Sequence, residues 1–228
     1  MSTMRSPNPA MSSQFLSINL EQLTMTTNQS CVLLQQNRGL ARISRPAVFL
    51  DRDGVVIDNC DTYVRHPSDV TFLPGVIDAV RKLSERRDVV IVTNQSVIGR
   101  GFVPAETILE IHQSIVDSLI AGGADITGSV ICPHDPSSRC TCRKPEPGML
   151  IAASQAWGCQ LEGSWMVGDA LTDIQAGAAV GCQTMLVRTG RGEYQEHATR
   201  LSHPECVVVP SLLVGVDRLL ADPTNAKS

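Results

Sequence analysis

The stretch AVFLDRDG, Ala47 to Gly54, decides the fold. Ala47, Val48, Phe49 and Leu50 form a short apolar run of strand formers, and the run breaks directly into two carboxylates and a glycine. A run bounded so abruptly reads as a strand buried on both faces with a polar turn at its carboxyl end. Working outward, the same unit recurs. Gly75 to Arg86 carries Val76, Ile77, Val80 and Leu83 at helical spacing, and Asp88 to Thr93, DVVIVT, is a second buried strand. Pro104 to Ile120 reads as a helix opened by a proline. Gly128 to Cys132 reads as a strand, Pro147 to Trp157 as a helix and Ser164 to Asp169 as a strand. Leu171 to Val180 reads as a helix ended by Gly181, followed by strands at Thr184–Val187 and Cys206–Val209 and a last helix at Leu212–Leu220. Alternating apolar strands and helices predict an α/β fold, a parallel sheet covered by helices on both faces. Ligands of such sheets bind beyond the carboxyl ends of the strands.

Those ends are where the polar residues fall. Asp51 and Asp53 follow the first strand, Thr93 and Asn94 end the second, Cys132 ends the third and Asp169 ends the fourth. Any single aspartate here would be read as a turn or a helix cap; the convergence of several on one edge points to a site. If the extended geometry persists, Asp51 and Asp53 point to one side, and two close carboxylates require a cation or a shared proton. With Asp169 they make an oxygen-rich pocket of the kind that suits Mg²⁺. A carboxylate so placed can attack phosphorus, and a second can protonate the leaving oxygen and then activate water. Thr93 offers a hydroxyl and Lys144, in an Arg-Lys-Pro turn, a point charge for the phosphoryl oxygens.

Cys132, His134, Cys140 and Cys142 read C-x-H-x5-C-x-C, four donors within eleven residues. Three thiolates and one imidazole make a closed tetrahedral zinc site of the structural type, which would pin a loop beside the site and place Arg143 and Lys144. Cys31, Cys60, Cys159, Cys182 and Cys206 lack partners at ligand spacing and read as ordinary core or surface cysteines.

The chain of 228 residues, 43% hydrophobic and 18% charged, suits one compact domain. A net charge of −4 weighs against a nucleic-acid binder. No apolar run has the length of a membrane span, and the first residues lack the apolar core of a secretory signal, so the expectation is a cytoplasmic protein. Residues 1–44 are rich in Ser, Thr, Asn, Gln and Met without period, and read as a disordered extension, with Met25 as an alternative start. The catalytic domain is expected over 45–222 and a short tail over 223–228.

The motifs, in order, resemble those of the haloacid dehalogenase (HAD) superfamily of phosphatases, a Rossmann-like fold. FLDRDG at 49–54 is similar to the first motif, VTNQS at 92–96 to the second, Lys144 in CRKPEPGM to the third and VGDALTD at 167–173 to the fourth. More narrowly, residues 46–221 are similar to the heptose bisphosphate and histidinol-phosphate phosphatases, through YV at 63–64, FLPGVIDAVRKL at 72–83, NQSVIGRG at 94–101, CPH at 132–134, CRKPEPGML at 142–150 and LVRTG at 186–190. The loop of Cys132, His134, Cys140 and Cys142 resembles the zinc loop of that subgroup. The resemblance implies Asp51 as nucleophile and magnesium ligand, and Asp53 as acid/base that also ligates through its carbonyl. It implies Asp169 as the third protein ligand and Thr93 and Lys144 as phosphoryl stabilisers, with Asp173 supporting the ligands from behind. Arg52, Asp61, Tyr63, Asn94, Gln95, Ser96 and Arg143 are the implied substrate contacts. The partner is then a small phosphorylated sugar met by a monomer or weak oligomer.

Only about forty residues separate Asp53 from Thr93, which leaves no room for a large cap domain there. Two departures from the subgroup stand out: Ala170 follows Asp169 where relatives often carry a lysine, and the loop from Asn59 to Tyr63 differs in length and character. The GML after RKPEP and the LVRTG segment favour heptose bisphosphate over histidinol phosphate as the substrate. A zinc-stabilised binding module without catalysis would show a loss among Asp51, Asp53, Thr93, Lys144 and Asp169, and all five are present. A phosphoacceptor signalling domain would need a long-lived aspartyl phosphate, which Asp53 is placed to hydrolyse.

Overall fold

The structure is a computed structural model, and it describes residues 31–35, 45–60 and 63–221. Seven strands form one sheet: β1 (Val32–Gln35), β2 (Pro46–Leu50), β3 (Asp88–Asn94), β4 (Gly128–Cys132), β5 (Gln160–Gly168), β6 (Gln183–Val187) and β7 (Val207–Val209), in the order β1-β4-β3-β2-β5-β6-β7. The helices are α1 (Val76–Ser84), α2 (Ser96–Gly99), α3 (Ala105–Ala121), α4 (Gly148–Trp157), α5 (Leu171–Ala178), α6 (Gly192–Ser202) and α7 (Leu212–Leu220). Strands β2 to β7 pair in parallel, as the continuous apolar runs predict.

Alternation along β2 shows how the sheet is filled. Val48 and Leu50 join one apolar cluster with α1, α3 and α7 residues such as Val80, Leu83, Ile115 and Leu219. Ala47 and Phe49 point to the opposite cluster, with Met149, Leu150 and Ala153 of α4 and Ala176 of α5. All four strand residues are fully buried, so each face carries the burial of apolar side chains that stabilises a two-sided parallel sheet.

The single helical turn α2 has no counterpart in the sequence reading, and three larger elements depart from it. Val32–Gln35 falls within the stretch expected to be an unstructured extension, yet it forms β1, pairing antiparallel with β4 from Val32 opposite Ile131 to Gln35 opposite Gly128. Helix α6 was not expected, because GEYQEHATRLS buries only Gly192 and Thr199 and carries no apolar stripe. Strand β5 begins four residues earlier than its apolar run, through QLEG, where the pairing with β2 shifts register between Pro46 and Val48.

The topology fixes the site. The chain runs outward from β2 to β3 and β4, then returns to the other side of β2 with β5. The connections therefore diverge at β2, and the crevice beyond its carboxyl end is the switch point where such sheets bind ligands. Between Asp53 and Thr93 the described residues hold one helix, α1, and a short 3-10 turn at Pro67–Asp69, and no cap domain covers the crevice from this segment.

Candidate active site

Asp51 stands at the end of β2 and its backbone N–H donates to Val167 O of β5 at 2.9 Å, so the two strands remain in register up to the site. Asp169 follows β5 directly, and Asp173 lies one turn into α5. One carboxylate oxygen from each of Asp51, Asp169 and Asp173 lies within 4.8 Å of the others. Lys144 Nζ lies 2.9 Å from Asp51 Oδ1 and 2.6 Å from Asp173 Oδ1, and donates to Val92 O at 2.9 Å. Asp173 Oδ2 accepts from the Ala170 N–H at 3.0 Å, so both of its oxygens are engaged. The backbone around Lys144 is gripped by Asn94, which accepts from the Lys144 N–H and donates to its carbonyl, both at 3.2 Å.

Asp169 is held by its surroundings rather than by an ion pair. Its Oδ2 accepts from Asn59 Nδ2 at 2.9 Å and from the Arg191 N–H at 2.8 Å. A Cβ at Gly54 or at Gly190 would strike that oxygen, and both glycines have positive φ, +83° and +60°. Only glycine meets both demands at once. Thr189 closes the same wall, its hydroxyl donating to Gly54 O at 2.6 Å.

Burial sets the electrostatics. Asp51 is pushed up to about 7 by burial, with Lys144 opposing and Asp173 and Asp53 adding to the rise. Asp169 and Asp173 are also raised, in both cases chiefly by burial. Burial opposes the charge on Lys144, but Asp173 and Asp51 outweigh it and raise its pKa. One ammonium against three carboxylates leaves a deficit of positive charge, and an all-oxygen donor set with that deficit fits a small hard divalent cation.

Asp53 takes no part in this cluster. Arg52 forks onto it, with Nε 3.3 Å and Nη2 3.0 Å from Oδ1 and Nη2 3.1 Å from Oδ2, while Gln95 Nε2 donates to Oδ2 at 2.9 Å. Arg52, expected among the substrate contacts, is only 1% exposed and points inward. The buried His112 near it is held down to about 3 by burial and then by the Arg52 charge. Arg52 thus positions Asp53 and does not reach solvent; in sequence it was indistinguishable from a surface arginine.

Thr93 lies buried at the end of β3, and its hydroxyl accepts from Gln95 Nε2 at 3.0 Å. Ser96 opens α2 and is also buried. Tyr63 stands further out on the rim, where its hydroxyl accepts from Arg100 Nη1 at 3.0 Å, and Arg100 Nε pairs with Asp135 Oδ2 at 3.0 Å. Asp61 lies outside the described residues. Arg143 is half-buried beside Lys144. Asn59, Thr189, Gly190 and Arg191 were missed as site residues, although the last three follow strand β6 and the strand-end rule could have flagged them.

Cys132, His134, Cys140 and Cys142 also converge. Their sulfurs are 3.7 Å (132 to 140), 3.5 Å (132 to 142) and 3.5 Å (140 to 142) apart. His134 Nδ1 is 3.6 Å from Cys132 Sγ and 3.2 Å from Cys142 Sγ. A regular tetrahedron with a metal–sulfur bond of about 2.3 Å has edges of about 3.8 Å, so the donors already sit close to the zinc arrangement. The Cys142 hydrogen bond is the main cause that holds the Cys132 thiol well below its usual value.

A family model described as HAD-hydrolase-like matches residues 141–214. The D-glycero-β-D-manno-heptose-1,7-bisphosphate 7-phosphatase of Pseudomonas putida is 41% identical over 147 residues, 64% of this chain and 84% of that protein. Its namesake from Yersinia pestis is 44% identical over 158 residues, 65% and 83% of the two chains. Among solved structures, the heptose 1,7-bisphosphate phosphatase of B. bronchiseptica complexed with magnesium and phosphate matches with a TM-score of 0.72 and 35% identity, covering 78% of this chain and 98% of that one.

Proposed function

The chain belongs to the HAD-like phosphoric monoester hydrolases that include the heptose bisphosphate phosphatases, and on that premise we propose that it removes the 7-phosphate of D-glycero-D-manno-heptose 1,7-bisphosphate through a phosphorylated Asp51. The observation that carries the chemistry is the division of labour between two carboxylates two residues apart. Asp51 is half-buried and paired with Lys144, and Asp53 is held aside by Arg52 and Gln95. The substrate reading is supported by the names of the relatives.

Asp51 and Asp169 would hold Mg²⁺ through their carboxylates and Asp53 through its carbonyl; the hydrogen bonds described above engage Oδ1 of Asp51 and Oδ2 of Asp169, and the other oxygen of each remains for the ion. When bound, Mg²⁺ neutralises charge between carboxylate and phosphoryl oxygens. An Asp51 oxygen attacks phosphorus while the bond to the sugar oxygen breaks. Asp53 gives that oxygen its proton. Lys144 and the Thr93 hydroxyl stabilise the charge on the phosphoryl oxygens. Water then attacks the same phosphorus, Asp53 takes its proton, and Asp51 leaves as a carboxylate with inorganic phosphate released. Cys132, His134, Cys140 and Cys142 would hold Zn²⁺ as a structural ion that fixes the loop carrying Arg143 and Lys144.

The substrate is tested by comparing kcat/KM for heptose 1,7-bisphosphate, other sugar phosphates and histidinol phosphate, with Mg²⁺ and with chelator. Heptose bisphosphate is expected to lead, with hydrolysis dependent on Mg²⁺. A lead for histidinol phosphate would move the assignment to the other branch of the subgroup.

The cation reading has its own pH signature. Without metal, the folded chain holds a proton on Asp51 between about pH 4 and its pKa of about 7, where the unfolded chain has released it. This group's contribution to stability is therefore full below about pH 4 and is lost as pH rises through 7. A cation must displace that proton, so the rise in Tm on adding Mg²⁺ is expected to be larger at about pH 8 than at about pH 5.5. Equal rises at both pH values would show that Asp51 does not bind the ion.

A further inference from the structure

The zinc loop has a neighbour that sequence spacing could not reveal. Strand β1 pairs antiparallel with β4, Val32 opposite Ile131, and continuing that register by one residue sets Cys31 opposite Cys132. Cys31 packs against the apolar cluster that contains Cys132, Cys140 and Cys142, and its thiol is in hydrogen-bond contact with Cys142. It lies outside the group of four whose donor atoms come within 4.8 Å of one another. Within that group the three cysteines are buried, and His134 is the half-buried member and the single nitrogen donor. A fifth soft donor thus stands against the site, on a different strand, next to a set in which one ligand is both the most accessible and chemically the odd one.

Resting on the zinc reading of the loop, we propose that Cys31 is a reserve ligand of the metal centre: when the His134 imidazole leaves, the Cys31 thiolate takes its position and the site becomes a four-sulfur site. The exchange is balanced. The metal–nitrogen bond breaks, the metal–sulfur bond forms, and the proton of the Cys31 thiol passes to the freed imidazole or to water. While His134 is bound, the Cys31 thiol lies against the Cys142 sulfur and supports that ligand from behind. The N-terminal strand and the catalytic loop are then joined through one ion.

The test uses the full chain loaded with Zn²⁺ or Co²⁺. The unaltered protein is expected to hold one zinc and to give the Co²⁺ spectrum of three thiolates and one nitrogen. His134→Ala is expected to retain about one zinc, with thiolate-to-cobalt charge-transfer intensity higher by about a third, from three thiolates to four. Cys31→Ser alone is expected to leave stoichiometry and spectrum unchanged. The double variant is expected to bind zinc at least about tenfold more weakly than His134→Ala. Should His134→Ala not fold, His134→Gln is read in the same way. Equal affinity of the single and double variants, or an unchanged Co²⁺ spectrum in the single, overturns the proposal while leaving the zinc reading intact. Absence of zinc from the unaltered protein overturns both.

Discussion

Asp51→Asn is expected to lower kcat by about 10⁴-fold or more while the chain stays folded. The amide keeps the shape of the carboxyl group but cannot act as the nucleophile or carry its charge. The same change removes a charge that the fold tolerates poorly. Asp51 is pushed up to about 7 by burial, and its ionised form stands near Asp173 and Asp53. Thermal melts of the metal-free variant at about pH 8 are therefore expected to match or exceed those of the parent, the trade expected where an active site is built against stability. Hydrolysis of an aryl phosphate together with Tm checks both halves. Turnover within tenfold of the parent would remove Asp51 from the chemistry.

Lys144→Met is expected to be costly on both counts. Lys144 is 2% exposed and stands between Asp51 and Asp173, themselves 13% and 1% exposed. Removing one partner from a buried ionic cluster costs about 3–5 kcal/mol, because the other charges stay desolvated. For a domain of this size that is a fall in Tm of about 10 °C. Turnover should fall by about 10²-fold or more through loss of charge on the phosphoryl oxygens. The variant also separates structural from chemical roles, since the two deficits answer differently to Mg²⁺. The ion neutralises the carboxylates and is expected to recover part of the Tm, whereas kcat stays low. A variant of parental Tm without metal would mean that the carboxylates do not depend on this ammonium.

Much of the fold was legible because continuous apolar strands and striped helices carry their own period. Val48 to Leu50, Val89 to Val92 and Val130 to Cys132 are all fully buried, as unbroken apolar runs demand. Helix α6 escaped because it packs against α5 and β6 through few side chains, and a helix with little buried surface has no periodic signature. Strand β1 escaped because its place is set by pairing with β4, nearly a hundred residues later, and not by local pattern. At the site, Asp51, Thr93, Lys144 and Asp169 could be anticipated from strand ends and motif spacing. The grip of Asn94 on Lys144, the fork of Arg52 on Asp53 and the bonds of Asn59 and Arg191 to Asp169 could not, since each depends on the path of a loop. Cys31 is the sharpest case. Read by spacing it is an ordinary thiol, and only the register of an antiparallel pair brings it to Cys142.

A sheet goes on recruiting strands until something blocks its margin, because each outermost strand offers a row of unsatisfied amides and carbonyls. Val32 to Gln35 fill that row along β4. The four residues do so antiparallel to β4, so a segment arriving from the amino terminus covers β4 without a crossover helix and leaves a strand of only four residues as the margin. A shortened form of this protein starting beyond Gln35 would leave β4 bare from Gly128 to Cys132, beside the loop of Cys140 and Cys142, and the simplest filler would be the same strand of a second molecule. Removal of Val32 to Gln35 is therefore expected to raise self-association, which sedimentation of the shortened and full forms at equal concentration would read.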